Sequence, residues 1–515
     1  MQLSKQTLGQ VPDTIRKPSY NLDDVKVGVL HFGPSFFFRG HLAVYFDDLL
    51  EKGYMDWGVC AVSLRSNDIQ KLEAQDYLYS VVEQSRNGAR APRIIGSMRE
   101  TLWANNGPRA IIDRMMDPNI KLVTMTITQE AYRYRKDTIL DFDADDIKGS
   151  LENFESPSAM VGFLVAALKE RKEAGMSPFS IMSCDNFEDN GKVLRGTTLA
   201  YAGRMSTELR DWIAENVSFQ GTMVDRIVPK TTDLQKAHFH QRYHVKDICP
   251  IFTEDFRQMV VSVKNRTAET PPLDEVGGLL VPDVVPYELM KIRLLNGAHM
   301  ALGMLGRLNR YTHVDEALKD PDVKKYISDY MEEVQKTLPE VPGVDLDEYR
   351  GLLMDRLENP YMKDQLVRLA RNGTSKMNSR FVGALNDSYA SGEGMESRQH
   401  LLLAVSFWIE YLRQAARDSG FDIMDKQARE SGLLEIAETI TDDPYPIFLN
   451  EETDGIWNGL NNNPKFIDEI RKVYARLDRH LHDRISDQLG LDPDDDDKGG
   501  SGPKGGPKSG EDGPK

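Results

Sequence analysis

At 515 residues, with 40% hydrophobic and 28% charged residues, the chain has a globular composition and is long enough for two or three domains, each with its own core. The formal net charge of −17 argues against wrapping a nucleic-acid backbone or lying on an anionic membrane, but it leaves room for a local basic pocket that takes a small anion. The three cysteines, Cys60, Cys184 and Cys249, are scattered without CxxC spacing, which fits a reducing compartment and offers no thiolate zinc cluster.

The N-terminal stretch lacks the apolar core of a signal peptide, and no apolar run approaches the ~20 residues that span a bilayer, so a cytoplasmic protein with no membrane partner is expected. The first structured segment is VKVGVLHFG at 25–33, a central strand closed by Gly33 and Pro34. A helix is predicted through FRGHLAVYFDDLLEKG, where Leu42, Tyr45, Phe46, Leu49 and Leu50 recur at helical spacing. WGVCAVSL follows as a second strand, giving a βαβ unit and hence a parallel sheet. The alternation continues through RAIIDRMM (helix), IKLVTMTIT (strand), SAMVGFLVAALKERKEAG (helix) and FSIMSCDN (strand).

From about Pro286 the pattern becomes helix upon helix. The expected organisation is an α/β domain over 1–285, a mostly α-helical domain over 286–490, and a disordered Asp-, Gly-, Pro- and Lys-rich tail over 491–515. HFHQRYH at 238–244 has three histidines but no nearby carboxylate and only one i, i+4 pair, so it reads as a solvated segment and no metal site is expected.

HFGPSFFFRGH stands between the first strand and the first helix, where a dinucleotide-binding fold brings its backbone close to a pyrophosphate. Gly33 fits that role, and Ser35 replaces the second glycine of G-x-G-x-x-G. Arg39 is placed to help with the phosphates. An ordinary strand-to-helix turn accounts for the same residues equally well on spacing alone. After the second strand, Asp68 is placed to accept from ribose hydroxyls, which favours NAD, although the neighbouring Arg65 leaves NADP open. A plain helix N-cap is the other reading of Asp68.

The apolar segment MKIRLLNGAH at 290–299 carries Lys291, Asn296 and His299. At about 100° per residue, His299 lies about 80° and Asn296 about 140° from Lys291, so all three share one broad helix face. A partly desolvated lysine there can act as a general base, and the amide and imidazole can steady a developing alkoxide. The competing interpretation is a snorkelling lysine, a helix-terminal asparagine and a satisfied core histidine.

Taken together, SCDNFEDNGKVLRG (183–196), MVDRIVP (223–229), YELMKIRLLNGAH (287–299) and the looser DQLVRLARNGTSK (364–376) resemble the polyol-specific long-chain dehydrogenases, the mannitol 2-dehydrogenase-like family. The likeness runs from about Val25 to Leu481 and implies a Rossmann-type domain followed by a mostly helical one, with no metal. It implies Lys291 as general base, with Asn296, His299 and Asn186 as oxyanion and substrate ligands. Asp225, Arg368 and Lys376 would grip substrate hydroxyls, and Glu288 would lie on the lysine's proton path. Ser35, Phe38, Gln129 and Ala131 depart from the family pattern near the cofactor, and the usual acidic pair after the second strand is reduced to Asn67 and Asp68.

The resulting expectation is an NAD-dependent enzyme interconverting a hexitol and its ketose, acting on a small-molecule substrate, without nucleic acid, and as a monomer. A fructuronate or tagaturonate reductase is the alternative within the family. A catalytically inactive dinucleotide-binding regulator is the alternative outside it.

Overall fold

The structure is a computed structural model that describes residues 1–65, 69–264, 270–450 and 454–489, so Asp68 and the tail expected from 491 lie outside the described residues. By internal contacts the chain divides into two compact units, Met1–Arg371 and Asn372–Lys515. The change of character near residue 285 falls inside the first unit, where every described element after the strand Leu279–Val281 is helical.

The first unit is organised by a six-stranded parallel sheet. Its order is Phe219–Gln220, Ser180–Ser183, Leu122–Met125, β1 (Val27–Phe32), β2 (Gly58–Ser63) and Met98–Trp103. The central strands are buried on both faces, which is why they read as nearly continuous apolar runs. Alternate residues still serve different layers. Leu30 and Phe32 pack with the helices Pro108–Met115 and Met160–Glu173. Val29, Val59 and Ala61 pack with Leu42, Ala43, Phe46 and Leu49 on the other side.

Two smaller sheets adjoin this one in sequence. Thr222–Asp225 runs antiparallel to Gln258–Ser262, which pairs with Leu279–Val281. Ile251–Glu254 joins Tyr79–Ser85 in parallel. These strands and Met98–Trp103 were not singled out by the sequence pattern.

The helix expected through residues 38–53 is broken. Phe36–Gly40 and Leu42–Glu51 are separate helices, because His41 sits at φ −125°, ψ −83°, outside helical geometry. Its Nε2 lies 2.9 Å from the Gln258 carbonyl oxygen, so the side chain is held by the strand below, while burial lowers the imidazole to about 3 and keeps it neutral.

The second unit is all helix among its described residues, with Gln399–Arg417 at its centre. Trp408, Trp457, Phe448 and Phe466 pack ring to ring there. The fully buried Arg398 is satisfied by Glu469, Ser388 and the Glu393 carbonyl. Among the described residues no helix is long and apolar enough to cross a membrane.

Candidate active site

Lys291 opens a π-helical stretch, Lys291–Asn296, set between the α-helices Val285–Met290 and Gly297–Leu308. A π turn takes more residues per turn than an α turn, so Asn296 comes closer to the face of Lys291 than the about 140° of regular α spacing allows. Such stretches are costly and concentrate at functional sites. The Lys291 side chain is buried, and its Nζ donates to Asn186 Oδ1 and to the Val224 carbonyl, both at 2.6 Å. Arg293 turns to the other side and donates to the Thr337 carbonyl and hydroxyl.

Each acceptor is fixed by its own surroundings. Asn186 lies in the turn after strand Ser180–Ser183, exposed at its outer side. Its neighbour Asp185 accepts from the backbone N–H groups of Ile127 and Thr128 and from the Tyr132 hydroxyl. Asn190 is buried and ties the Asp185 carbonyl to both backbone groups of Thr222. The SCDNFEDN motif thus holds together the loop after Leu122–Met125, the strand Thr222–Asp225 and the lysine.

Asp225 closes that strand inside a buried ion network. Arg356 donates from Nη1 to Asp225 Oδ2 at 2.6 Å and forks onto Glu254 at 2.9 and 2.8 Å. Burial pushes Asp225 upward, but the charges of Arg356 and Lys291 and the hydrogen bond from Arg356 outweigh it and hold the carboxyl below its ordinary range. Glu254 goes the other way, pushed up by burial against the pull of Arg356. His299 is lowered to about 4, first by burial, with Arg368 and Arg356 opposing its protonation and Asp364 and Asp225 favouring it. The imidazole is therefore neutral at physiological pH and offers one N–H donor.

Lys291, Asp225, His299 and Arg368 thus lie within electrostatic reach of one another. Arg368 is exposed and forks onto Asp364. Asn296 Nδ2 is buried with no hydrogen-bond partner. Glu288, one helical turn before Lys291, accepts from the Asp189 backbone N–H through Oε2, while its Oε1 is buried and unpartnered. Burial raises its carboxyl to about 7. Lys376 belongs to the second unit, half-buried on Gly373–Met377 and followed by another π-helical stretch, Asn378–Val382.

A cavity of about 980 Å³ opens at the carboxyl ends of β1, β2 and Leu122–Met125, the ligand position of an open parallel sheet. Gly33 at its edge has φ +92°, and a Cβ there would stand 2.3 Å from the Thr126 carbonyl oxygen, so only glycine fits. Ser35, by contrast, has φ −69°, open to any residue, and its Oγ caps the following helix at the Phe38 N–H. The missing second glycine therefore costs the turn nothing. Arg39 lines the cavity while buried, donating to the Cys249 carbonyl. The fully buried His31 braces the turn from below, with ring nitrogens 2.8 Å from Thr124 Oγ1 and 3.1 Å from the Gly33 carbonyl oxygen.

Among the described residues no three His, Cys, Asp or Glu side chains gather as a metal-ligand set. His238, His240 and His244 are all exposed, on and just after the helix Asp233–Tyr243.

The profile of the mannitol dehydrogenase Rossmann domain matches residues 27–275, and that of the mannitol dehydrogenase C-terminal domain matches residues 283–478. The chain belongs to the mannitol dehydrogenase family. A mannitol 2-dehydrogenase of Phaeosphaeria nodorum is 35% identical over 489 residues, covering 93% of this chain and 84% of that one. A polyol:NADP oxidoreductase of Gluconobacter oxydans is 37% identical over 382 residues, covering 73% and 78%. The solved ternary complex of Pseudomonas fluorescens mannitol 2-dehydrogenase with NAD and D-mannitol superposes with a TM-score of 0.79 at 34% identity, covering 95% of this chain and all of that one. The protein is accordingly an oxidoreductase acting on CH–OH groups, with a Rossmann domain followed by a helical C-terminal domain.

Within this family frame, Asp185, Asn190, Glu254 and Arg356 are site residues that sequence reasoning missed. Asp185 and Asn190 stand inside a motif already singled out, so a question about what fixes Asn186 would have found them. Arg356 lies on the helix Leu346–Leu357, where nothing in the spacing marks it.

Proposed function

We propose that the chain interconverts a hexitol and its 2-ketose, of the mannitol/fructose type, by metal-independent hydride transfer with NAD, and that Lys291 is the general base. The observation that carries this reading is the pair of 2.6 Å hydrogen bonds from Lys291 Nζ to Asn186 Oδ1 and the Val224 carbonyl. These two acceptors fix the position of Nζ beside Asn186, and in its neutral form the amine is the group of the site that takes a hydroxyl proton.

The nicotinamide supplies the hydride acceptor or donor when bound. The groove fits such a dinucleotide because Gly33 admits close backbone approach and the volume is sufficient. The chain's own residues do the rest. Asn186, the unpartnered amide of Asn296 and the neutral His299 donate to the reacting oxygen as it gains charge. The ionised Asp225 accepts from a neighbouring hydroxyl. Glu288, half-protonated near neutrality with a free buried oxygen, receives the proton that Lys291 sheds.

Arg368 is already forked onto the Asp364 carboxylate, which favours a neutral polyol over a uronate. The experiment is NADH oxidation by the purified protein with D-fructose, fructuronate and tagaturonate side by side, with Lys291→Ala as control. Turnover with fructose that the variant loses supports both substrate and base. Turnover with a uronate alone moves the substrate and keeps the mechanism. NADH binding without any turnover refutes the substrate assignment.

A further inference from the structure

The loop after strand Leu122–Met125 holds a backbone conformation that its own residues do not favour. Thr128 stands at φ +75°, ψ 152°, a region that glycine enters freely and a β-branched residue avoids. TITQEAY at 126–132 holds no glycine, so the surroundings impose the shape.

The restraint comes from both sides. Thr126 donates from Oγ1 to the Gly33 carbonyl at 2.8 Å, which ties the loop to the glycine turn. Two residues on, the buried Asp185 carboxylate accepts from the Thr128 N–H at 2.9 Å and from the Ile127 N–H at 3.2 Å. A third donor, the buried Tyr132 hydroxyl, reaches the same carboxylate at 2.6 Å. Phe187 packs edge-on against the Tyr132 ring, with centroids 5.0 Å apart. Either orientation of an amide at this position would set its NH2 group against a donor, so the clamp requires a carboxylate.

This loop is also a wall of the dinucleotide groove, which Thr126, Ile127, Ala131 and Arg133 line. Hydride transfer needs the nicotinamide beside the carbon whose hydroxyl meets Lys291. Lys291 is bonded to Asn186, the residue that follows Asp185. The nicotinamide end of the groove therefore lies toward this loop, away from β2.

We propose that Asp185 is a positioning residue for hydride transfer: it holds Ile127 and Thr128 in the shape that seats the nicotinamide, while its neighbour Asn186 holds the base, so that one turn sets both reacting partners. This inference rests on the groove being the dinucleotide site.

The test is rescue by glycine, read with whichever of the three ketoses the wild type reduces. Asp185→Asn keeps the size of the side chain and breaks the clamp. It should lower kcat by about 10²-fold, the cost of a misplacement on the order of 1 Å, and raise the primary deuterium isotope effect from NADH labelled at the transferred position. Adding Thr128→Gly should restore at least about tenfold, because glycine takes this φ without a clamp. Adding Thr128→Ala instead should restore little, since alanine keeps the backbone penalty. Recovery with neither, or equal recovery with both, overturns the proposal, as does wild-type kcat in Asp185→Asn. Should Asp185→Asn not fold, Tyr132→Phe removes one of the three donors and is read by the same two additions and the same criteria. A wild-type chain that binds no NADH, or reduces none of the ketoses, overturns the reading of the site and this inference with it.

Discussion

Lys291 acts through one nitrogen whose direction is set by Asn186 Oδ1 and the Val224 carbonyl, so removing the amine leaves the pocket's shape and takes away the proton acceptor. Lys291→Ala should lower kcat by roughly 10³-fold, within the range of general-base contributions, while NADH affinity measured by fluorescence titration stays within about twofold. Glu288 makes a different prediction, about pH. Its carboxyl rises from 4.5 to about 7 on burial, so between those values the folded state holds a proton that the unfolded chain has lost. Folding stability should therefore fall as pH rises through this window, by up to about 3 kcal/mol. Thermal melts of wild type and Glu288→Gln at pH 5 and pH 8 check this, with the melting point of the variant gaining on wild type at the higher pH. His299 has the opposite sign. Its lowered pKa stabilises the fold above about 6.5, and that contribution is lost as pH falls toward 4.

Arg356 joins the helix Leu346–Leu357 to two strands, Thr222–Asp225 and Ile251–Glu254, through three buried charges. Arg356→Met leaves Asp225 and Glu254 buried without a counter-charge, and a loss of about 3–5 kcal/mol in denaturant unfolding is expected. Above pH 8, where both carboxylates must ionise, the deficit should be larger than at pH 5, and a pH-independent loss would point to packing instead. The π stretch Lys291–Asn296 belongs to this level too. Its apolar periodicity is indistinguishable from that of a regular helix, so the residues were legible and the wider turn that regroups them was not. The same holds for the start of the fold. Helical spacing announced the helix after β1, but the break at His41 comes from a hydrogen bond to a strand more than two hundred residues away.

For the whole molecule, the two compact units, Met1–Arg371 and Asn372–Lys515, each contain a core of their own. Scanning calorimetry should give a calorimetric enthalpy larger than the van't Hoff value, since independent cores rarely melt as one cooperative unit, and a ratio of one would show that they do. The parallel sheet and the helical run after Leu279–Val281 were readable along the chain, because local spacing and burial periodicity are written in consecutive residues, whereas spacing alone left the Gly33 turn and the polar face of Lys291, Asn296 and His299 open to an ordinary structural reading. Arg356 on Asp225 and Asp185 clamping the Ile127–Thr128 turn were not readable there. A buried or balanced charge is recognisable only from its partner. Here the partners arrive from segments far apart in sequence, so folding alone decides which charges meet.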